Sequence, residues 1–267
     1  MPFQLQENKM IEENVSISME TLNEKIRTCE RCRLSLTRKH ALCGEGRLDA
    51  RLMLIAQAPG QIEDEEGSMF IGPSGKVLNE LLGLVSVSRS QLYMTNLVKC
   101  MLPKYRKPKE DEINTCSEYL NEEIALVNPK TIVTLGYYAS RCILEKYEFP
   151  VPSRKEFRNL YGKLFWTGEK RIYCIQHLAA LLHNPEIKDV IVQNYRKLRV
   201  LSRDCKWYPV CPMKSYHEAG KLPRKWVELY CKGDWESCVR YQKEENGEWH
   251  PDYMLPDGTF DKTLRVT

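Results

Sequence analysis

The chain has no run of eighteen apolar residues, which excludes a membrane-spanning helix. Its opening segment, MPFQLQENKMIEENV, is polar and acidic and lacks an apolar h-region, so no secretory signal is expected and the cytoplasm is the predicted compartment. No internal repeat or low-complexity stretch is present. A strong charge of one sign is also missing: the net charge is +4 over 267 residues, which alone is weak support for a nucleic-acid partner. Residues 201–267 hold 11 Lys and Arg against 11 Asp and Glu, so the whole excess lies in residues 1–200. What remains is an ordinary soluble composition, 42% hydrophobic and 28% charged, long enough for one large α/β domain or a medium domain plus a small one. The unusual feature is cysteine. Eleven occur, and a reducing cytosol keeps thiols unpaired, so metal binding or catalysis explains them better than disulfides.

Apolar patterning divides the chain in two. Residues 16–40 suggest a short helix leading into Cys29-Glu-Arg-Cys32. Arg51–Ala56 is a short apolar run that ends at the turn Gln57-Ala-Pro-Gly60, as a buried strand would. Residues 73–85 carry a helical stripe (Val77, Leu78, Leu81, Leu82, Val85). Leu92–Val98 reads as a second strand, 109–128 as a helix, Lys130–Leu135 as a third strand, 137–146 as a helix, Arg171–Gln176 as a fourth strand and 186–201 as a last helix. Such alternation predicts a three-layer α/β/α sandwich around a mainly parallel four-stranded sheet. Ligands of such sheets bind at the carboxyl ends of the strands. Here those ends fall at Gln57, near Asn96, at Gly136 and at His177. Past residue 202 the alternation stops and aromatics and cysteines become dense. The expected division is an α/β domain, 1–202, followed by a small cysteine-rich module, 203–267, with a helix expected over Lys225–Tyr230.

Cys29 and Cys32 form a C-x2-C pair; Cys100 follows the second strand and Cys116 lies on the next helix. Four thiolates from distant segments can close around one centre, and soft sulfur ligands favour zinc or an iron–sulfur cluster, which spacing does not separate. A second set, Cys205-x5-Cys211 and Cys231-x6-Cys238, suggests a second metal or iron–sulfur site, against a small aromatic core with buried thiols. Trp207, Tyr208 and Trp235 would fill that core. Cys43, Cys142 and Cys174 have no evident partners and are expected to be buried. Lys104, Arg106, Lys107 and Lys109 form a basic cluster that is either a solvated loop or a phosphate contact.

The blocks CERCRL, GEGRLDARLMLIAQAPG, EDEEGSMFIGPSGKVLNELL and LYMTNLVKC, followed by a Pro-rich loop and a further Cys, resemble the iron–sulfur (family 4) uracil-DNA glycosylases over about residues 20–200. The resemblance implies a 4Fe–4S cluster with a structural role on Cys29, Cys32, Cys100 and Cys116. It also implies an enzyme that flips uracil out of DNA and hydrolyses its N-glycosidic bond. Asn96 matches the family's uracil-reading Asn, an amide able to donate to a carbonyl and accept from the ring N–H. Phe70 matches the stacking Phe. His177 matches the His that stabilises the departing uracil anion. Glu63 matches the acidic residue that orients water and offsets positive charge on the sugar. Ala58, Pro59 and Gly60 form the turn against the base, with Ser74, Gly75 and Lys76 nearby for phosphate contact.

The sequence departs from that pattern in several places. The family's Gly-Glu-Ala-Pro-Gly is Ala56-Gln57-Ala58-Pro59-Gly60 here, so Gln57 must orient water without a charge. The family's His-Pro-Ser is His177-Leu178-Ala179; Leu178 or Leu181 is left as the minor-groove wedge, and His183 stands where Arg is usual. Met69 replaces the Pro before the stacking Phe. No Lys is placed to form a Schiff base, so no lyase step is expected. The expected partner is uracil-containing DNA and the expected state is a monomer. The competing reading is a module that binds damaged DNA, or senses redox state, with weak or altered glycosylase activity.

Overall fold

The computed structural model describes residues 2–264, with the side chains of residues 2–9, Leu182, His183 and Pro185 outside the described set. The His183 expectation therefore lies outside the described residues. The elements in chain order are α1 (Pro2–Arg27), β1 (Glu45–Gly46), β2 (Leu52–Ala56), α2 (Gln61–Glu66), α3 (Pro73–Leu84), β3 (Leu92–Asn96), α4 (Glu110–Val127), β4 (Thr131–Leu135), α5 (Tyr137–Lys146), β5 (Leu164–Trp166), β6 (Arg171–Ile175), α6 (Ala179–His183), α7 (Lys188–Leu201), α8 (Pro212–Glu218), α9 (Arg224–Trp226) and α10 (Val239–Glu245).

Strand order is β1-β3-β2-β4-β6-β5. The four apolar runs read from the sequence form the central parallel strands, each buried along its whole length. Burial on both faces is why they lack polar alternation. The sheet has six strands rather than four, because β1 and β5 add short antiparallel edges. Two and three residues are too few to show a period.

Alternate side chains feed two cores. Met53, Ile55, Tyr93, Ile132 and Ile172 face α1, α4 and α5 through Leu22, Ile26, Ile124, Ile143 and Leu144. Leu52, Leu54, Met94, Val133 and Ile175 face α3 and α7 through Leu78, Leu81, Ile191, Tyr195 and Leu198. Each fully buried Leu or Ile contributes about 1.5–3 kcal/mol, so the two layers together supply most of the cohesion. Pro73 opens α3, where its missing N–H costs nothing. Asn128 ends α4 in the left-handed conformation. Helix α1 stops at Arg27 rather than running to residue 40, so Cys29 and Cys32 sit in the turn that follows it.

Residues beyond α7 build a small core of their own around Met213, Tyr216, Leu222, Val227 and Leu255. The expected helix at Lys225–Tyr230 is the short α9 continued by a π turn, Val227–Cys231. This segment lies against the amino ends of β2 and β6. Arg51, just before β2, pairs with Asp204 and donates to the Lys232 carbonyl at 3.3 Å. Arg171, the first residue of β6, also donates to the Lys232 carbonyl and reaches the Glu228 carboxylate at 3.5 Å. Trp235 Nε1 donates to the Val200 carbonyl at 3.0 Å. Among the described residues no helix is long and apolar enough to cross a membrane.

Candidate active site

The strand order reverses direction between β2 and β4, where an open α/β sheet leaves a crevice at its carboxyl ends. A cleft of about 440 Å³ occupies that place. Its lining includes every residue singled out for the pocket: Gln57, Ala58, Pro59, Gly60, Glu63, Phe70, Asn96 and His177. They arrive from three separate stretches of the chain: 57–70, Asn96 and His177.

Glu63 is not on a solvated acidic loop. It lies on α2, is 7% exposed, and its Oε1 accepts the Gly72 N–H at 2.9 Å. A Cβ at Gly60 would lie 2.5 Å from Glu63 Oε2, and one at Gly72 3.0 Å from the same atom. The two glycines therefore leave the space in which the carboxylate is held. The neighbouring Asp64 is also buried, and its carboxylate accepts the backbone N–H groups of Lys39 and His40. That ties α2 to the loop after the first cysteine pair.

Phe70 sits at φ 52°, a left-handed conformation that costs a bulky residue about 1–3 kcal/mol. Two features hold it there. Arg89 donates to the Met69 and Phe70 carbonyls at 2.8 and 3.1 Å. Gly75 brings α3 so close that a Cβ would lie 1.8 Å from the Phe70 carbonyl oxygen. Asn96 ends β3, is 3% exposed, and its Nδ2 meets Met69 Sδ at 3.2 Å. The Asn96 carbonyl accepts from Lys99 Nζ at 3.0 Å. Lys99 is itself buried against Glu123 at 2.6 Å, and Thr95 joins the same carboxylate at 2.8 Å. Sequence reasoning missed Arg89, Lys99 and Glu123, since charged side chains in such stretches ordinarily face solvent.

His177 follows β6. Its Nδ1 accepts the Ala179 N–H at 3.1 Å, so the neutral ring carries its proton on Nε2. Burial lowers its pKa below the ordinary 6.5, which keeps it neutral at pH 7. Gly136 at the tip of β4 lets the strand approach: a Cβ there would stand 2.9 Å from His177 Cβ. Leu178 is 1% exposed within the α3–α7 core, so it is not available as a wedge; its side chain is anchored inward by that packing. Leu181 packs partly against the same core.

The basic loop contributes at the rim. Arg106 lines the cleft, but its guanidinium is paired with Glu112 at 2.8 Å, and that carboxylate also accepts the Lys109 N–H. Lys104, Lys107 and Lys109 are exposed. Tyr105, which sequence reasoning passed over, is 76% exposed at the cleft and donates to Gln61 Oε1 at 3.1 Å. Its signal was an aromatic among the cations of Pro103–Lys109.

Cys29, Cys32, Cys100 and Cys116 gather on the opposite face of the sheet, beside the core under α1 and α4. Burial pushes the Cys100 thiol up to about 11; Arg38, donating to its sulfur at 3.2 Å, opposes the rise, while Cys116 and Cys32 are near enough to add to it. Among the described residues no three Cys, His, Asp or Glu side chains are spaced to hold a single metal ion. A cubane cluster differs in this respect, since each thiolate binds a different iron and the sulfurs stand wider apart. Cys174 is fully buried, while Cys43 and Cys142 are only partly so.

A parallel sheet whose strand tips bring a ring, a carboxamide, an imidazole and a buried carboxylate to one cleft defines an α/β protein that takes a small planar polar ligand. Comparison with known proteins narrows the class. The family described as the uracil DNA glycosylase superfamily matches residues 43–199. A type-4 uracil-DNA glycosylase of Sulfurisphaera tokodaii is 35% identical over 214 residues, covering 78% of this chain and 94% of that protein. One from Saccharolobus solfataricus is 37% identical over 187 residues, covering 68% and 85%. One from Thermotoga maritima is 30% identical over 183 residues, covering 68% and 93%. The chain belongs to the uracil DNA glycosylase superfamily and, within it, to the type-4 uracil-DNA glycosylases.

Proposed function

We propose that this protein is a monofunctional uracil-DNA glycosylase of DNA repair, which hydrolyses the bond between uracil and deoxyribose and leaves an abasic site. The observation that carries the reading is the convergence of Phe70, Asn96, Glu63 and His177 on one cleft at the strand tips. In this reading the uracil leaves the helix stack and lies against the Phe70 ring, a contact worth about 1–3 kcal/mol. The Asn96 carboxamide pairs with the uracil edge. The water oxygen forms a bond to the sugar C1′ as the C1′–N1 bond breaks. The electron pair of the broken bond leaves with the base as a uracil anion. His177 Nε2–H donates to that anion; a neutral imidazole stabilises it by hydrogen bonding without giving up its proton. Glu63 offsets the positive charge that grows on the sugar, and Gln57 orients the water. The water's spare proton goes to solvent, and solvent reprotonates the base.

The four cysteines Cys29, Cys32, Cys100 and Cys116 fit a 4Fe–4S cluster: they are soft donors from three segments, set around one buried place with a cation against one sulfur. Once bound, the cluster supplies a cross-link between the turn after α1, the end of β3 and α4. The test of activity is a labelled oligonucleotide containing one uracil, treated with enzyme and then with hot alkali. Strand cleavage at the uracil, absent without alkali, is the expected result. Tight binding without cleavage would establish a damage-recognition module instead.

A further inference from the structure

The family match ends at residue 199, yet the segment beyond it contains a second set of four thiols in one place. Cys205, Cys211, Cys231 and Cys238 all line a single pocket of about 80 Å³ inside the C-terminal unit. Cys205 and Cys231 are brought together by a backbone hydrogen bond of 2.7 Å between their own peptide groups. The Cys205 sulfur faces the backbone N–H groups of Trp207 and Tyr208, and the Cys238 sulfur those of Arg240 and Tyr241. Cys231 ends the π turn, a rare helical irregularity frequently found at functional sites.

A cation completes the picture. Arg240 lines the same space and is 3% exposed. Its Nη1 donates to the carbonyls of Pro251, Asp252 and Met254. Its Nε, fully buried, has no hydrogen-bond partner among the described residues. A buried guanidinium with a free N–H calls for an anionic neighbour.

The size of the space decides which occupant fits. Four thiolates at about 2.3 Å from one zinc lie only about 3.8 Å apart and leave no void between them. Here the thiols line a pocket several times the roughly 10–15 Å³ needed for one water. We propose that Cys205, Cys211, Cys231 and Cys238 hold a second iron–sulfur cluster of the 4Fe–4S type, with Arg240 as the buried counter-cation. This inference stands apart from the glycosylase reading, since no residue of the cleft enters it.

The test is a metal and acid-labile sulfide count on the whole chain, purified without oxygen. About eight irons and eight sulfides per chain are expected, two cubanes of four each. A Cys231→Ser/Cys238→Ser variant should lose about half of both, and a Cys29→Ser/Cys32→Ser variant should lose the other half. Four irons with one zinc would overturn the proposal, as would four irons that survive the Cys231→Ser/Cys238→Ser change. Should either variant fail to fold, the count on the unmodified chain still decides the matter. Failure of the uracil assay would leave this count unaffected, so the two readings fall separately.

Discussion

The two walls of the cleft are built on different foundations. On one side Glu63, Phe70 and Asn96 are each fixed by polar contacts: the Gly72 N–H, the Arg89 guanidinium, and the buried Lys99–Glu123 pair. On the other, His177 leans on apolar support, with Leu178 sunk into the core and Gly136 pressed against its Cβ. A wall of directed hydrogen bonds specifies its residues, because an unpaired partner is costly in the interior. A wall of packed carbon asks only for volume and polarity to be kept. On the apolar side the contact to His177 Nδ1 comes from a peptide group, the Ala179 N–H. A backbone donor tolerates a change of side chain.

Four experiments would break or sharpen this contrast. The largest effect is expected beneath the polar wall. Glu123→Ala leaves the Lys99 ammonium buried and alone, and should cost about 3–5 kcal/mol of folding stability, measured by denaturant unfolding. A loss below 1 kcal/mol would mean the pair is not what supports Asn96. Next is His177→Ala, expected to lower kcat for uracil release about 10²–10³-fold in single-turnover assays, with folding stability little changed. Phe70→Ala should weaken binding of a uracil-containing strand by about 1–3 kcal/mol, read as a rise in Kd. It should relieve none of the backbone strain, which belongs to the φ angle. The smallest effect concerns pH. Burial depresses the folded-state pKa of His177 below 6.5. Stability from the neutral ring is thus present above pH 6.5 and is lost as pH falls through the depressed value. The acid limb of kcat/KM should accordingly fall below pH 6.5. A limb at or above 6.5 would show that burial does not depress the ring's pKa in the working enzyme.

The architecture could be read from residues because its strands are apolar throughout and its helices carry clean stripes. Leu52–Ala56 and Thr131–Leu135 admit few other readings. The edges β1 and β5 stayed hidden, since pairing over two or three residues depends on a neighbour and not on a pattern. Within the cleft, Phe70, Asn96 and His177 stand out by type and interval, whereas the residues that hold them do not. Lys99 and Glu123 look like surface charges until the fold places them 2.6 Å apart inside the molecule. Glu63 and Asp64 belong to a run of four acids, and only the packing of α2 shows that these two turn inward while Glu65 and Glu66 remain outside. Leu178 shows the reverse case. An apolar residue in a groove-facing loop suggests a wedge, and the structure places it in the core.

Arg171 has a consequence for traffic around the molecule. It opens β6, and the same strand leads to His177 at its far end. At about 3.3 Å per residue, a strand separates those two positions by roughly 20 Å. Arg51 reaches the C-terminal unit from the matching end of β2. The residues beyond α7 are thus anchored at the amino ends of β2 and β6, away from the strand tips that form the cleft. A large appendage can be carried there without narrowing access, and its removal would unseat the root of the His177 strand before it touched the cleft.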